Sequence, residues 1–514
     1  MSFVKVPAAG QYGINRDLST HELPINAWTD VSNIRFVDGM AAQTLGYKSL
    51  YGTPSVTPYH VLPVDVLGIR TWIYAGANKI YTVANGAVHT NITRQTTGVD
   101  VNYNAVQNSW TSTVLGGIPI LNSGADAPQM WALSGKAVAL TNWPSNTTCN
   151  AIRSYKNSLI ALNVTKSGTN YPYMVKWSHP AEAGTVPVTW DVADASKDAG
   201  EYDISDGYDT IVDGLALRDS FIIYKQSSIW RMDYTGGAFV YKFQKIISDQ
   251  GLLARNCVAE VRGMHFVFSN SDCIVHDGQT AQSVLDKVTR RDLFSQINSA
   301  KANQCFVFVN PIYNEVYACY PSLNSDVCNK AMVWNYLDKT VSIRDLPSLN
   351  HAAHGPVDDS SNSTWDTDGG TWDDDNLPWD SQSASLNRSL VVMASNSTKL
   401  HLLDGYYNND GVAVSAYLER RGLSFDEPQS IKMVRSIRPR IYGDNGYINV
   451  QVGYCDTPYA TPTYNPAVQF AVNSTVSIDT IATGRYIAIK FSSGTATNWR
   501  LDSYDIDVKK AGSW

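Results

Sequence analysis

Short runs of alternating or continuous apolar residues recur along this chain, separated by Gly, Asn, Asp and Ser. Thr71-Trp-Ile-Tyr-Ala75 is followed by Lys79-Ile-Tyr-Thr-Val83 and closed by Asn85-Gly86. The same arrangement returns in Asp219–Lys225 with Ser228–Tyr234, closed by Gly236-Gly237, and in Met264–Ser269 with Cys273–His276, closed by Asp277-Gly278. It returns again in Glu315–Tyr320 with Ala331–Tyr336 and Thr340–Ile343, and in Leu390–Met393 with Lys399–Leu403, closed by Asp404-Gly405. β-branched and aromatic residues at strand length, bounded by turn formers, read as strands and hairpins. In each unit one strand is apolar throughout, and so predicted buried on both faces, while its neighbour is amphipathic. The units repeat at roughly 40–50 residues, the span of a four-stranded propeller blade. The pattern predicts a mainly β protein built on a β-propeller, with a large irregular β-sandwich as the alternative arrangement.

Two stretches depart from that rhythm. Val284–Ile297 places apolar residues at 284, 285, 288, 293, 294 and 297, which is nearer to helical periodicity and predicts one helix inserted near 284–299. After Asp426-Glu-Pro428 the pattern becomes clean alternation, as in Ile448–Gly453 and Arg485–Phe491, and predicts a small antiparallel sandwich. The expected organisation is an N-terminal extended segment over 1–55, a propeller over 56–425 and a C-terminal β-sandwich domain over 426–514.

Composition narrows the classes. Of 514 residues, 17% are charged and 11% aromatic, which excludes intrinsic disorder. Forty basic against 47 acidic residues give a net charge of −7. A sequence-independent nucleic-acid binder needs a basic excess or stripe to neutralise phosphates, and none is visible. No stretch approaches the roughly 20 apolar residues of a membrane span, and the opening residues lack the apolar core of a signal peptide. The seven cysteines include no CxxC pair, so reduced, mostly buried thiols are expected.

The stretch from Asp358 to Asp380 is the most unusual. It holds eight aspartates, with tryptophans at 365, 372 and 379. Asp366, Asp368 and Asp373 are weak candidates for a hard cation such as Ca²⁺, which takes clustered oxygen ligands. The EF-hand pattern fails, because Leu377 stands where a bidentate Glu is required. The competing expectation is a polar loop in which Trp365, Trp372, Asp374, Asp375 and Trp379 form an interface or gating element. His351 and His354 flank this stretch as weak additional ligands. Trp365-Asp-Thr-Asp-Gly369 approaches the Asp-box hairpin of sialidase propellers but is out of register by one residue. His276-Asp277-Gly278 offers a base and a carboxylate, yet sits where a hairpin turn belongs, and His179-Pro180 likewise reads as a turn. There is no G-x-S-x-G elbow, HExxH or Walker loop, and among 47 acids nothing selects a glycosidase pair. No catalytic residue and no cofactor are expected.

An ordered series near the start is more specific: Gly13-Ile-Asn-Arg-Asp-Leu18, Glu22-Leu-Pro24, Ala27-Trp28, Asn33-Ile-Arg-Phe36, Asp38-Gly39 and Gly46-Tyr47. It resembles the opening of the tail-nozzle, or packaged-DNA stabilisation, proteins of short-tailed bacteriophages (the tail tubular type B proteins of podoviruses). Asn122–Trp131, Val175–Ser178 leading to Trp190-Asp191, and Gly484–Phe491 before Trp499-Arg-Leu501 resemble later parts of that group. The resemblance implies a non-enzymatic virion protein with a propeller and appended β domains. It implies six copies below a portal-adaptor protein, closing the tail channel on packaged double-stranded DNA and conducting it during ejection. Tail fibres or spikes are the other implied partners, and assembly in the bacterial cytoplasm the implied setting. The weakly acidic balance agrees with a channel that must not hold phosphates. The alternatives are a carbohydrate-active propeller, either a depolymerase or a sialidase-like enzyme, and a host-receptor-binding tail-tip protein.

Overall fold

The computed structural model describes residues 2–66, 68–84, 87–237, 239–357, 389–494 and 498–513. Within them the chain is mainly antiparallel β, folded as a β-propeller with an appended two-sheet sandwich. Five consecutive four-stranded sheets span 60–91, 111–139, 147–203, 211–248 and 258–283. Two further blades are fused into one seven-stranded sheet. They share the strand Val341–Pro356, whose first half pairs with Cys328–Asn335 and whose second half pairs with Ser389–Ser395. The register breaks between Leu349 and His351, where the strand passes from one blade to the next.

The ring is closed by the beginning of the chain. Gly46–Leu50 pairs with Lys399–Tyr406 as the outer strand of the seventh blade. The continuously apolar strands lie where both faces meet neighbouring blades. Trp72–Ala75, Phe221–Tyr224 and Phe266–Phe268 are fully buried, as their lack of a polar face requires. The expected turns form at Gly236-Gly237 and Asp277-Gly278, whose glycines take positive φ of 70°, 78° and 90°. Asp404-Gly405 behaves differently. It lies inside Lys399–Tyr406 as an irregularity between Leu403 and Tyr406, and it turns the Asp404 side chain inward.

The expected helix is shorter than 284–299. The helix α1 spans Lys287–Ser295, because the Asp286 side chain accepts the Thr289 N–H at 2.7 Å and caps it there. A 3₁₀ turn, Ser299–Gln304, follows.

The domain boundaries also differ from expectation. Residues 1–55 are not one extended arm. Ser2–Val6, Ile34–Val37 and Met40–Gln43 join Trp499–Ser513, Ser430–Gly443 and Ile478–Gly484 in one sandwich sheet. Asp30–Ser32 pairs with Tyr417–Leu423 in the other sheet, so the sandwich begins before residue 425. The path is therefore sandwich, propeller, sandwich. The two sheets enclose Trp28, Ile437, Val450, Ile489, Phe491, Trp499 and Tyr504. The pairings between the two ends of the chain join residues roughly 390 to 510 apart in sequence, which local periodicity does not register.

Candidate functional site: the closed axis and the interdomain clamp

The first strand of each blade faces the propeller axis. On these strands, and in the turns leading into them, lie polar residues set into apolar surroundings. Arg153 grips Asp213 with two bonds of 2.9 and 2.6 Å. It also donates to the Ser112 carbonyl at 3.0 Å and to Asn256 Oδ1 at 2.9 Å. Asn256 Nδ2 donates to Asn108 Oδ1 at 3.0 Å and to the Trp110 carbonyl at 3.1 Å. Asn108 Nδ2 in turn meets the carbonyls of Arg255, Asn303 and Cys305 at 2.9–3.2 Å. His60 bonds Ser112 Oγ at 2.7 Å and packs on His351, with ring centroids 4.0 Å apart. The Val61 N–H donates to His351 Nδ1.

This network touches strands or lead-in turns of all seven blades. Asp213 is fully buried, yet it also accepts the Asn256 N–H at 3.0 Å. Burial, with the Arg153 charge adding to it, holds His351 down at about 3. His60 is lowered for the same first reason, then by His351 and Arg153. Both rings are neutral near pH 7 and serve as hydrogen-bonding and stacking pieces. A propeller commonly keeps an open central channel; here the chain's own side chains fill it. A buried arginine–carboxylate pair with its remaining valences satisfied is a rigid element, not an open reaction centre.

A second buried cluster joins the sandwich to the propeller. Arg35, from the strand Ile34–Val37, contacts Glu315 at 2.6 and 2.9 Å and Asp404 at 2.8 Å. Arg344 meets Asp404 at 2.9 Å and the Tyr317 hydroxyl at 2.7 Å; that hydroxyl donates to Glu315 at 2.8 Å. Asn310 donates to Asp404 at 2.9 Å. All four charged side chains are at most 6% exposed. Burial opposes ionisation of Asp404, and Arg344 and Arg35 together overcome it, holding the carboxyl below its ordinary range. Two cations balance two anions.

Around this cluster the N-terminal series makes further contacts to the propeller. Asn33, at φ 55°, bonds Asp345 and the Ser415 carbonyl. Gly13, at φ 62°, lies so close to Val341 that a Cβ would come within 3.1 Å of its backbone. Arg16 bridges Asp30 and Asp292 of α1, and Asp17 accepts the Val288 N–H at 3.0 Å. A cavity of about 480 Å³ lies here, lined in part by Arg16, Asp30, Asp292, Tyr320, Tyr417 and Arg421.

The candidates named from sequence are distributed as follows. Asp366, Asp368, Asp373, Trp365, Trp372, Asp374, Asp375 and Trp379 lie outside the described residues. His276 bonds the Tyr224 hydroxyl at 2.7 Å, while Asp277 accepts the N–H groups of Gln279 and Thr280; the triplet forms a turn. Burial lowers His276 to about 4. His351 belongs to the axial network. All seven cysteines are buried and free. Among the described residues no group of three or more His, Cys, Asp and Glu is placed to hold a metal ion, and no helix is long and apolar enough to cross a membrane. The axial network and the clamp were not singled out from sequence. Their signal is a lone charge inside an apolar strand, as in Ile211-Val-Asp-Gly-Leu215 and Ile34-Arg-Phe-Val37.

No family model and no curated protein matches this chain. Among solved structures, the extracellular domain of the one-component system BT4673 from B. thetaiotaomicron is similar over 67% of this chain, at 13% identity and a TM-score of 0.34. The chain spans 41% of that protein's length. The AfRom2 CNH domain is similar over 70% of this chain and 98% of its own, at 9% identity and a TM-score of 0.38. A fungal alcohol oxidase of the AA5 family, in complex with copper, is similar over 88% of this chain and 91% of its own, at 9% identity and a TM-score of 0.39.

Proposed function

We propose that this chain is a structural virion protein, the nozzle at the distal end of a short phage tail. In that role copies of it close a channel on packaged double-stranded DNA and conduct the DNA at ejection. The observation that carries the reading is the ordered N-terminal series together with what its residues do. Gly13, Asn33, Arg35 and Gly46 lie where the sandwich meets the propeller, and Trp28 fills the core between the two sandwich sheets. The N-terminal series that opens the resemblance thus acts as an architectural clamp, which suits a protein whose task is to hold shape under load.

The filled propeller axis fits the same reading. A subunit whose own axis is closed conducts nothing by itself, so a channel has to lie between copies. Ring closure by head-to-tail contacts supplies such a channel. The net charge of −7 leaves channel walls with little hold on phosphates. The adaptor, the fibres or spikes, and the hexameric state belong to this proposal.

The test is made on particles. Virions purified from the source lysate are digested, this chain is quantified against the major capsid protein by mass spectrometry, and the tails are imaged. The expected outcome is about six copies per particle with density at the distal end of the tail, the number being that of a closed six-fold ring. A chain absent from washed particles overturns the proposal.

A further inference from the structure

Outside the axis and the clamp, aromatic side chains gather on the outer edges of the third and fourth blades. They form the floor of a groove enclosing about 1110 Å³. Trp177 is fixed by a bond from its Nε1 to the Asp198 carbonyl at 2.7 Å and by edge-on packing with Tyr241 at 5.2 Å. Tyr202 stacks on Phe243 with centroids 4.7 Å apart and planes at 9°. One face of Tyr202 is therefore covered, yet the residue remains 51% exposed. The loop containing Asp194–Asp198 and the residues Thr235, Gly237, Phe239 and Val240 flank this floor.

We propose that this groove is a binding site for a neutral oligosaccharide. Concave surfaces lined by fixed aromatics and edged by a few polar groups are characteristic of ligand sites. Exposed apolar patches rimmed by polar residues mark contact surfaces. The chemistry of the edge decides the occupant. The lining holds three carboxylates, of Asp194, Asp198 and Glu201, against the ammonium groups of Lys197 and Lys242. A single-stranded nucleic acid would also stack on aromatic rings, but it needs a positively charged groove to follow its backbone. This lining has no cationic excess. Glu201 is already paired with Lys166 and Lys176. The side chains of Lys197, Lys242 and Asp198 make no hydrogen bond within the described residues, which leaves both donors and acceptors free at the edge. A ligand with flat C–H faces for the rings and hydroxyl groups for a mixed donor and acceptor edge is a sugar chain without net charge. The inference stands on the groove alone and does not depend on the tail reading.

The experiment titrates the purified full chain with maltohexaose, cellohexaose, chitohexaose and mannohexaose, followed by intrinsic fluorescence and calorimetry. The variants are Tyr202→Ala, Lys242→Ala and, as a control, Tyr442→Ala, whose ring is exposed on the sandwich. All three positions are at the surface, and circular dichroism checks that each variant is folded. The expected result is saturable binding of at least one saccharide with Kd below about 1 mM, weakened about tenfold by Tyr202→Ala and unchanged by Tyr442→Ala. Absence of saturation with all four overturns the proposal, as does binding that Tyr202→Ala leaves intact. Self-association that Tyr202→Ala abolishes, with no saccharide bound, also overturns it and assigns the groove to a contact between copies.

Discussion

At the scale of single residues, the structure separates buried charges from decorative ones. Glu315 and Asp404 sit in a dry cluster with Arg35 and Arg344. Removing one member strands an uncompensated charge, so Glu315→Gln is expected to cost about 3–5 kcal/mol of stability, read from urea unfolding. Arg440 and Asp505 form a pair on the sandwich surface, with the arginine 44% exposed. Solvent and salt weaken such pairs, so Asp505→Asn is expected to cost at most about 1 kcal/mol. Equal costs for the two variants would show that the clamp carries no special burden. The buried histidines make a separate prediction about acid. His351 is held at about 3 in the folded protein, against about 6.5 in an unfolded chain. Above that higher value both states are neutral and pH has no effect through this group. As pH falls below it, only the unfolded state takes the proton, so stability drops until His351 itself titrates. His265, held at about 3, and His276, at about 4, act in the same direction. Between about pH 6.5 and 5.5, where unfolded carboxylates bind few protons, each such histidine adds a slope that rises toward about 1.4 kcal/mol per pH unit. His351→Asn, whose amide keeps a polar group at the site, is expected to reduce the slope of unfolding free energy against pH by one proton's worth.

At the scale of elements, Gly46–Leu50 has the most demanding position. It is the outer strand of the last blade and, through Leu45 and Thr44, continues directly into the sandwich. A Cβ on Gly46 would lie 2.0 Å from the Asn408 carbonyl oxygen, a distance no side chain tolerates. Gly46→Val is therefore expected to unzip the seventh blade locally. The measurement is hydrogen exchange, with protection lost over 47–50 and 399–406 while blades such as 147–203 keep theirs. Unchanged protection would mean that the ring does not depend on this closure. The blades were legible in the sequence because each is a local hairpin series with apolar strands and positive-φ turns, as at Gly236-Gly237. The sandwich was legible only in its C-terminal half. Val31 faces Leu418 and Phe3 faces Asp507, and nothing near either residue in sequence announces such a partner. The clamp was hidden for a related reason. Arg35 is one residue of a series read for its order alone, and Asp404 precedes a glycine and reads as a turn former. Only the fold reveals that its carboxylate points inward at two arginines. The axial network was hidden in the same way, since Arg153, Asp213 and Asn256 belong to three different blades.

At the scale of the whole molecule, the filled axis constrains any conducting assembly. Arg153, Asp213, Asn256 and Asn108 bond to one another between blades at the propeller axis, and each of these side chains is largely or wholly buried. If copies of this chain conduct DNA, the channel runs through the centre of their ring, outside every propeller. Moving a helix or hairpin at the ring's inner wall then changes its bore without disturbing the blades, because packed units shift between discrete arrangements as rigid bodies. Two outcomes follow for tails that hold DNA. Ultraviolet cross-linking is expected to attach DNA to surface residues and to leave peptides containing Arg153 or Asn256 unmodified. Asp213→Asn, which weakens the axial network without touching the outer surface, is expected to lower thermal stability while leaving the number of copies per tail unchanged. Cross-links on the axial peptides would place the DNA path through the propeller itself and would require the network to open. Loss of copies from the tail in Asp213→Asn particles, with folding intact, would mean that the axis takes part in assembly as well as in holding the seven blades together.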